Sequence, residues 1–338
     1  MNFDFSEEQY MLRDAVRDFL SKESTPTEIR RIWDDPTGRS PQRWKKLAEL
    51  GVVGLAIPEE FGGAGMNEVD LVLALEEAGR ALLPEPLLES AAVAGPLLAR
   101  AGTDAQKAEW LPKLASGDAV FSVGLAGQPY VQDATADVVI LERDGELHAA
   151  TQDRLTLTPL KSIDGARRLF KVTAELDDAT RMGPAEGNAA WAFDHAAAAT
   201  AAELVGIAGA MLEMTVAYAK EREQFGRKIG SFQAVQHKLA ETYLLVESAR
   251  NAAYYAAYAL AEDLPDTSIH VSVAKAFAAD AERRANYEAL QIHAGIGFTW
   301  EHDLHLWLKR GRALEAQYGD ADWHRRRISD HVYASRSA

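Results

Sequence analysis

Arg222, Glu223, Gln224, Phe225 and Gly226 form one run, and Phe232, Gln233, Ala234, Val235, Gln236 and His237 follow closely. A planar guanidinium at a helix end makes paired, charge-assisted hydrogen bonds to a pyrophosphate, and Gly226 lets the chain turn away with no side chain in the path. Phe225 offers an aromatic face, and Gln233 a donor and acceptor for an adenine or ribose edge. The chemistry is that of gripping a phosphorylated ligand. A plainer reading makes Arg222 and Arg227 solvated charges offsetting a helix C-terminal dipole, with Phe225 in the core. Among the nine histidines, His293, His302, His305 and His324 lack the paired spacing and nearby carboxylate of a metal site, so surface or core roles are expected.

The elements that must position these residues are helical on both sides of a short β segment. With 338 residues and 47% hydrophobic content, the chain can bury a large core and holds two or three domains. Its net charge of −15 repels nucleic-acid backbones and anionic lipid, which leaves room only for a local basic pocket. Cysteine is absent, so disulfides, thiolate metal sites and cysteine nucleophiles are excluded, in keeping with a reducing compartment. Asp4, Glu7 and Glu8 stand where a signal peptide needs positive charge, and no apolar run reaches membrane-span length, so a cytoplasmic protein without membrane attachment is expected.

Residues 1–118 read as an N-terminal helical domain: a Ser6-capped helix to about Lys22, another through Arg43 to Leu50, an ordered Pro58 to Gly65 turn, and helices on either side of Pro84 and Pro86. Residues 119–186 read as a small β domain, with hairpin turns expected at Asp144-Gly145 and Asp164-Gly165. Residues 187–338 read as a C-terminal helical bundle. Leu204, Ile207, Met211, Met214 and Tyr218 mark one long helix, Leu239 to Leu260 a second, and a third runs from Asp266–Ser268 to about His293.

With these parts in this order, the chain resembles the acyl-CoA dehydrogenase family over nearly its whole length. The resemblance rests on Pro58-Glu59-Glu60-Phe61-Gly62-Gly63-Ala64-Gly65, on the block from Tyr218 to His237, and on Gln291-Ile292-His293-Ala294-Gly295-Ile296-Gly297-Phe298. The middle block is the specific one. The resemblance implies FAD as cofactor, an acyl-CoA as substrate and an electron-transfer flavoprotein or similar acceptor. It also implies that Arg222, Gln224, Phe225 and Gln233 reach across a subunit interface to the ADP half of a neighbour's FAD, with Gln291 and Gly295 as further contacts. Ala294 stands where the family usually has a glycine. The acyl group itself is not set by these residues.

The family's general base is missing from both usual places. Gly319, in Tyr318-Gly319-Asp320-Ala321, occupies the glutamate position of a Tyr-Glu-Gly-Thr turn, and Ala196 occupies the alternative position in the first bundle helix. Removal of an α-proton needs such a carboxylate beside the substrate. Asp320 or Glu315 are the nearest substitutes; Asp320 also reads as a solvent-facing turn residue and Glu203 as part of helix packing. The flavin-ring motifs are replaced too, by Phe121 to Gln128, and no tryptophan lies between Trp110 and Trp191. The pattern resembles the shorter subunit of heteromeric α2β2 bacterial acyl-CoA dehydrogenases of steroid degradation, in which a longer paralogue supplies base and ring contacts. The alternatives are a non-catalytic scaffold subunit and an active homo-oligomer using Asp320.

Overall fold

The structure, a computed structural model, describes residues 4–337. Six helices come first: α1 (Glu7–Glu23), α2 (Pro26–Asp34), α3 (Pro41–Glu49), α4 (Glu68–Arg80), α5 (Gly95–Ala101) and α6 (Asp104–Ala115). Their starts follow from local chemistry. Ser6 accepts from the Gln9 amide while the Gln9 side chain returns to the Ser6 amide, a reciprocal cap that satisfies two orphan donors. α2 was not anticipated, although Thr25 caps it and Pro26 opens it with a preset φ. The expected turn at Pro58 to Gly65 is ordered by backbone bonds from Ala64 to Gly54 and from Gly65 to Ile57.

A π-helical turn, Leu88–Ala94, runs directly into α5. Such turns widen the helix and re-aim its side chains. Here Ser90 Oγ accepts from the Phe121 amide at 2.9 Å, and Glu89 points into a buried charge cluster described below.

The strands are β1 (Phe121–Gly124), β2 (Val131–Gln132), β3 (Val138–Arg143), β4 (Glu146–Thr151), β5 (Leu155–Leu160), β6 (Leu169–Ala174) and β7 (Arg181–Pro184). They form a four-stranded sheet, β1-β3-β4-β7, and a three-stranded one, β2-β6-β5. The Asp144-Gly145 turn joins β3 to β4 as expected, both residues having positive φ (52° and 80°). Asp164-Gly165 does not make a tight hairpin. It lies in the eight-residue loop from Lys161 to Arg168 between β5 and β6, and the Asp164 side chain instead accepts from the Ala166 amide and from Arg310. The segment after β6, rich in Asp, Pro and Gly, contains β7, which pairs with β4.

Helices α7 (Asn188–Glu221), α8 (Gln233–Ala261) and α9 (Thr267–His293) make the bundle, with the short strands β8 (Glu223–Gln224) and β9 (Arg227–Lys228) between α7 and α8. α10 (Leu304–Glu315) and α11 (Ala321–Ser337) close it. The fold is mainly α with a small β region, as the sequence implied. α7 is the axis: it is the one described helix long and apolar enough to cross a membrane, and 94% of its most apolar window is buried inside the protein. It touches α4 without a gap because Gly79 and Gly206 face the opposing backbones, where any Cβ would collide with the Glu203 and Glu76 carbonyls.

Candidate functional site

Tyr218 and Arg222 bring the end of α7 to a surface cavity of about 630 Å³. Its wall also contains Gln224 and Phe225 from the β8–β9 hairpin, Val235 and Lys238 from the first turns of α8, and Gln291 to Ile296 from the end of α9. Five of the six residues singled out from sequence therefore meet here: Arg222, Gln224, Phe225, Gln291 and Gly295. Gln233 stands at the first position of α8, exposed and beside the cavity rather than in its wall.

Each is placed by its local backbone. α7 ends at Glu221, and Arg222 leaves it in an extended conformation, closing onto the next turn through the Ile229 amide bonded to the Arg222 carbonyl at 2.8 Å. Phe225 and Gly226 both have positive φ (54° and 75°), so the hairpin turns tightly and throws Phe225 outward, 92% exposed. Arg227 lies over the Phe232 ring at 4.0 Å, which fixes the hairpin against the start of α8. The α9 wall is set by His293, whose Nδ1 bonds to the Ala289 carbonyl at 2.8 Å and whose ring stacks on Tyr218 at 4.4 Å. Burial lowers the His293 pKa, so it faces the cavity as a neutral ring.

Tyr218, Lys238 and His293 were not read as site residues from sequence. Tyr218 precedes Arg222 by one helical turn, a spacing that puts both on one face; the other two carry no local signal. Ala294 adopts φ 52° and ψ −136°, a region that belongs to glycine. The departure noted in sequence is therefore a strained backbone at the cavity wall.

The wall fits the diphosphate end of a nucleotide cofactor. Arg222 supplies positive charge, Lys238 being paired with buried Glu288 at 2.6 Å; Gln224 and Gln291 supply donors and acceptors, and Phe225, Phe232 and Ile296 supply apolar surface.

The comparisons agree with the layout of these parts. Residues 6–118 match the family model described as acyl-CoA dehydrogenase, N-terminal domain, and residues 187–333 match the acyl-CoA dehydrogenase, C-terminal domain. The acyl-CoA dehydrogenase IpdE2 of Mycobacterium tuberculosis is 37% identical over 305 residues, spanning 90% of this chain and 91% of that protein. The chain belongs to the acyl-CoA dehydrogenase family. Its members are FAD-dependent oxidoreductases, and the chain is an oxidoreductase of that type. Among solved structures, the ChsE4–ChsE5 complex from M. tuberculosis superposes with a TM-score of 0.90 at 27% identity, covering 98% of this chain and 99% of that one. Butyryl-CoA dehydrogenase from Megasphaera elsdenii shares the fold, with a TM-score of 0.88 at 22% identity over 98% of this chain and all of that one.

Gly319, at one of the two positions where the resemblance leads a base to be expected, lies in the turn after α10, and that turn is closely packed. Gly319 has φ 87°, and a Cβ added to it would lie 2.8 Å from the Trp323 ring and 2.9 Å from His324 Nε2. Buried Lys275 holds the turn by donating to the Glu315 carbonyl at 2.9 Å and the Gly319 carbonyl at 2.8 Å. His324 Nε2 bonds the Tyr318 carbonyl at 2.9 Å. Burial pushes Lys275 down to about 7 and His324 down to about 4.

The substitutes are occupied elsewhere. Asp320 is exposed and its Oδ1 caps α11 by accepting from the Trp323 amide at 2.8 Å. Glu315 is paired with Arg283 and with Arg312. Ala196 is fully buried in α7.

Beside this turn lies the buried charge cluster. Arg167 donates to Glu89 at 3.2 Å and to Gln317, and Gln317 Nε2 donates to Glu89 at 3.2 Å. Arg310 pairs with Asp164 and donates to the Leu83 carbonyl at 2.9 Å. Glu203 faces the same charges from α7, and burial, then the charge of Glu89, pushes its carboxyl up to about 7.

Proposed function

We propose that this chain takes part in FAD-dependent α,β-dehydrogenation of an acyl-CoA thioester as one subunit of a heteromeric assembly, with a longer paralogue providing the base. The observation that carries this reading is the contrast between the two ends of the site. The cavity at Arg222 and Gln291 is built, whereas Gly319 carries no carboxylate, a Cβ there would meet Trp323 and His324, and the neighbouring Asp320 carboxylate is exposed and caps α11.

Bound FAD supplies the hydride acceptor for the β-carbon. This chain's residues would hold its ADP half: Arg222 would neutralise the diphosphate, Gln224 and Gln233 would bond the sugar and base edges, and Gln291 and the Gly295 backbone would close the other wall. Phe225, 92% exposed, would offer its ring to a neighbouring subunit and shield the bound group from water. The relatives favour a heteromer in steroid breakdown: one structural neighbour is the ChsE4–ChsE5 complex, and another, with a TM-score of 0.89 at 26% identity, is described as a steroid acyl-CoA dehydrogenase variant. An electron-transfer flavoprotein is the acceptor in this reading.

The test is purification with and without co-expressed paralogues. The expected outcome is a colourless, inactive chain alone and a yellow, active complex with the partner, in which Arg222→Ala lowers flavin content. A yellow and active homo-oligomer overturns the composite site, and unchanged flavin in the Arg222→Ala complex supports the scaffold reading instead. Homo-oligomeric activity through Asp320 predicts that Asp320→Asn loses turnover; a role as helix cap alone predicts that turnover and stability both stay nearly unchanged, because asparagine caps a helix about as well as aspartate.

A further inference from the structure

Tyr218 lines the cavity from the last turn of α7, and the Arg222 amide closes that turn onto the Tyr218 carbonyl at 2.9 Å. The two side chains therefore stand one helical turn apart. The Tyr218 ring lies against the His293 ring, with centroids 4.4 Å apart and planes 19° apart. His293 is buried, and its Nδ1 faces the Ala289 carbonyl at 2.8 Å, so this nitrogen carries the one proton of the neutral ring. His302 meets the same ring at 4.9 Å and 67°, and is itself fixed by accepting from the Leu304 amide at 3.1 Å. Three rings in contact thus join the end of α7, the end of α9 and the loop before α10.

One polar group of this row is left unused. Among the described residues the Tyr218 hydroxyl has no hydrogen-bond partner, and it is not closed off from the surface. Its side chain is half-buried in the wall of a cavity of about 630 Å³. A phenol both donates and accepts. The groups around it are committed elsewhere: Lys238 to Glu288 at 2.6 Å, His293 Nδ1 to Ala289, and the Ile229 amide to the Arg222 carbonyl at 2.8 Å. The partner of the hydroxyl therefore comes from the occupant of the cavity. Arg222, one turn on, selects an anion as that occupant.

We propose that Tyr218 donates its hydroxyl to a phosphate oxygen of the ADP half of FAD, beside Arg222, and that His293 is the positioning residue that holds Tyr218 there. The assignment rests on the reading that this cavity takes the ADP half. A ring laid flat on a fixed imidazole keeps one orientation, so its hydroxyl meets the ligand with little rotamer freedom left to lose.

The assembly that carries flavin, whether with a paralogue or of this chain alone, is stripped of flavin and titrated with FAD and with ADP by calorimetry. Y218F keeps the ring and its stack and removes only the hydroxyl. It is expected to weaken both ligands about tenfold, the loss of one hydrogen bond to a charged acceptor. H293A leaves the phenol unsupported and is expected to cost a similar factor, whereas H293F restores the stack and most of the affinity. Because His293 acts through the hydroxyl, the Y218F/H293A double variant is expected to bind about as well as Y218F alone. A purely structural histidine makes the two losses multiply instead. Unchanged binding in Y218F, or multiplied losses in the double variant, overturns the proposal. The heteromeric reading fails on a different result, a yellow and active homo-oligomer, in which Y218F still weakens FAD. Native protein that takes up neither FAD nor ADP overturns both the assignment and the cavity reading beneath it.

Discussion

Glu203 and Asp133 are buried acids that the proposed chemistry does not use, and each is pushed up to about 7, first by loss of water and then by the charge of Glu89. The native state therefore holds a proton on Glu203 between its ordinary value of 4.5 and about 7, where the unfolded chain has released it. The stability from that proton is complete below the lower value and is lost as pH rises through the upper one. Glu203→Gln removes the dependence. Thermal melts are expected to show the variant more stable than the native chain by about 1–3 kcal/mol at pH 8 and similar to it near pH 4. An unchanged difference across that range would show that Glu203 titrates normally. The same reasoning separates Glu203 from a catalytic base: its charges face Arg167 and Arg310 inside the protein.

At the scale of elements, the turns at both ends of the proposed site are the informative parts. Ala294 holds a backbone conformation suited to glycine, a strain of about 1–3 kcal/mol, while glycine itself costs about 0.5–1 kcal/mol in added chain freedom. Strain is the larger effect, so Ala294→Gly is expected to stabilise the chain by about 1 kcal/mol in denaturant titration. Gly319→Glu, which restores the family's residue, is expected instead to destabilise by more than about 2 kcal/mol and to yield no activity in the isolated chain, because the new Cβ overlaps two rings and the residue has positive φ. The Arg222 to Gly226 hairpin was legible because its chemistry is local: a cation, an aromatic and a turn glycine in one run. The Ser6 cap, the Asp144-Gly145 hairpin and the ends of α8 and α9 were legible for the same reason. The π-helical turn, the Lys275 clamp and the His293–Tyr218 stack were not, because each depends on partners far away in sequence. Asp164-Gly165 misled for a related reason: its hairpin chemistry was overridden by a buried bond to Arg310, distant in the chain.

Over the whole molecule, the Glu89, Arg167, Asp164, Arg310 and Gln317 cluster joins three regions of the chain: the helices before β1, the loop between β5 and β6, and the end of α10. Removing one member of a buried pair leaves the other charge stranded, at a cost of about 3–5 kcal/mol. Arg310→Met is therefore expected to lower the midpoint of unfolding and to speed hydrogen exchange in the loop from Lys161 to Arg168, with α8 little changed; uniform exchange would place the joint elsewhere. The outer surface follows a different logic. Among the described residues its most exposed large apolar side chain is Phe225, at 92%, and Ile296 and Phe298, at 45% and 72%, are also exposed. On the heteromeric reading proposed above, a cell that made this chain alone would hold molecules whose stickiest spot is left open to chaperones and proteases. That reading expects such a chain to be synthesised in step with a partner, its abundance in a cell then tracking how much partner there is.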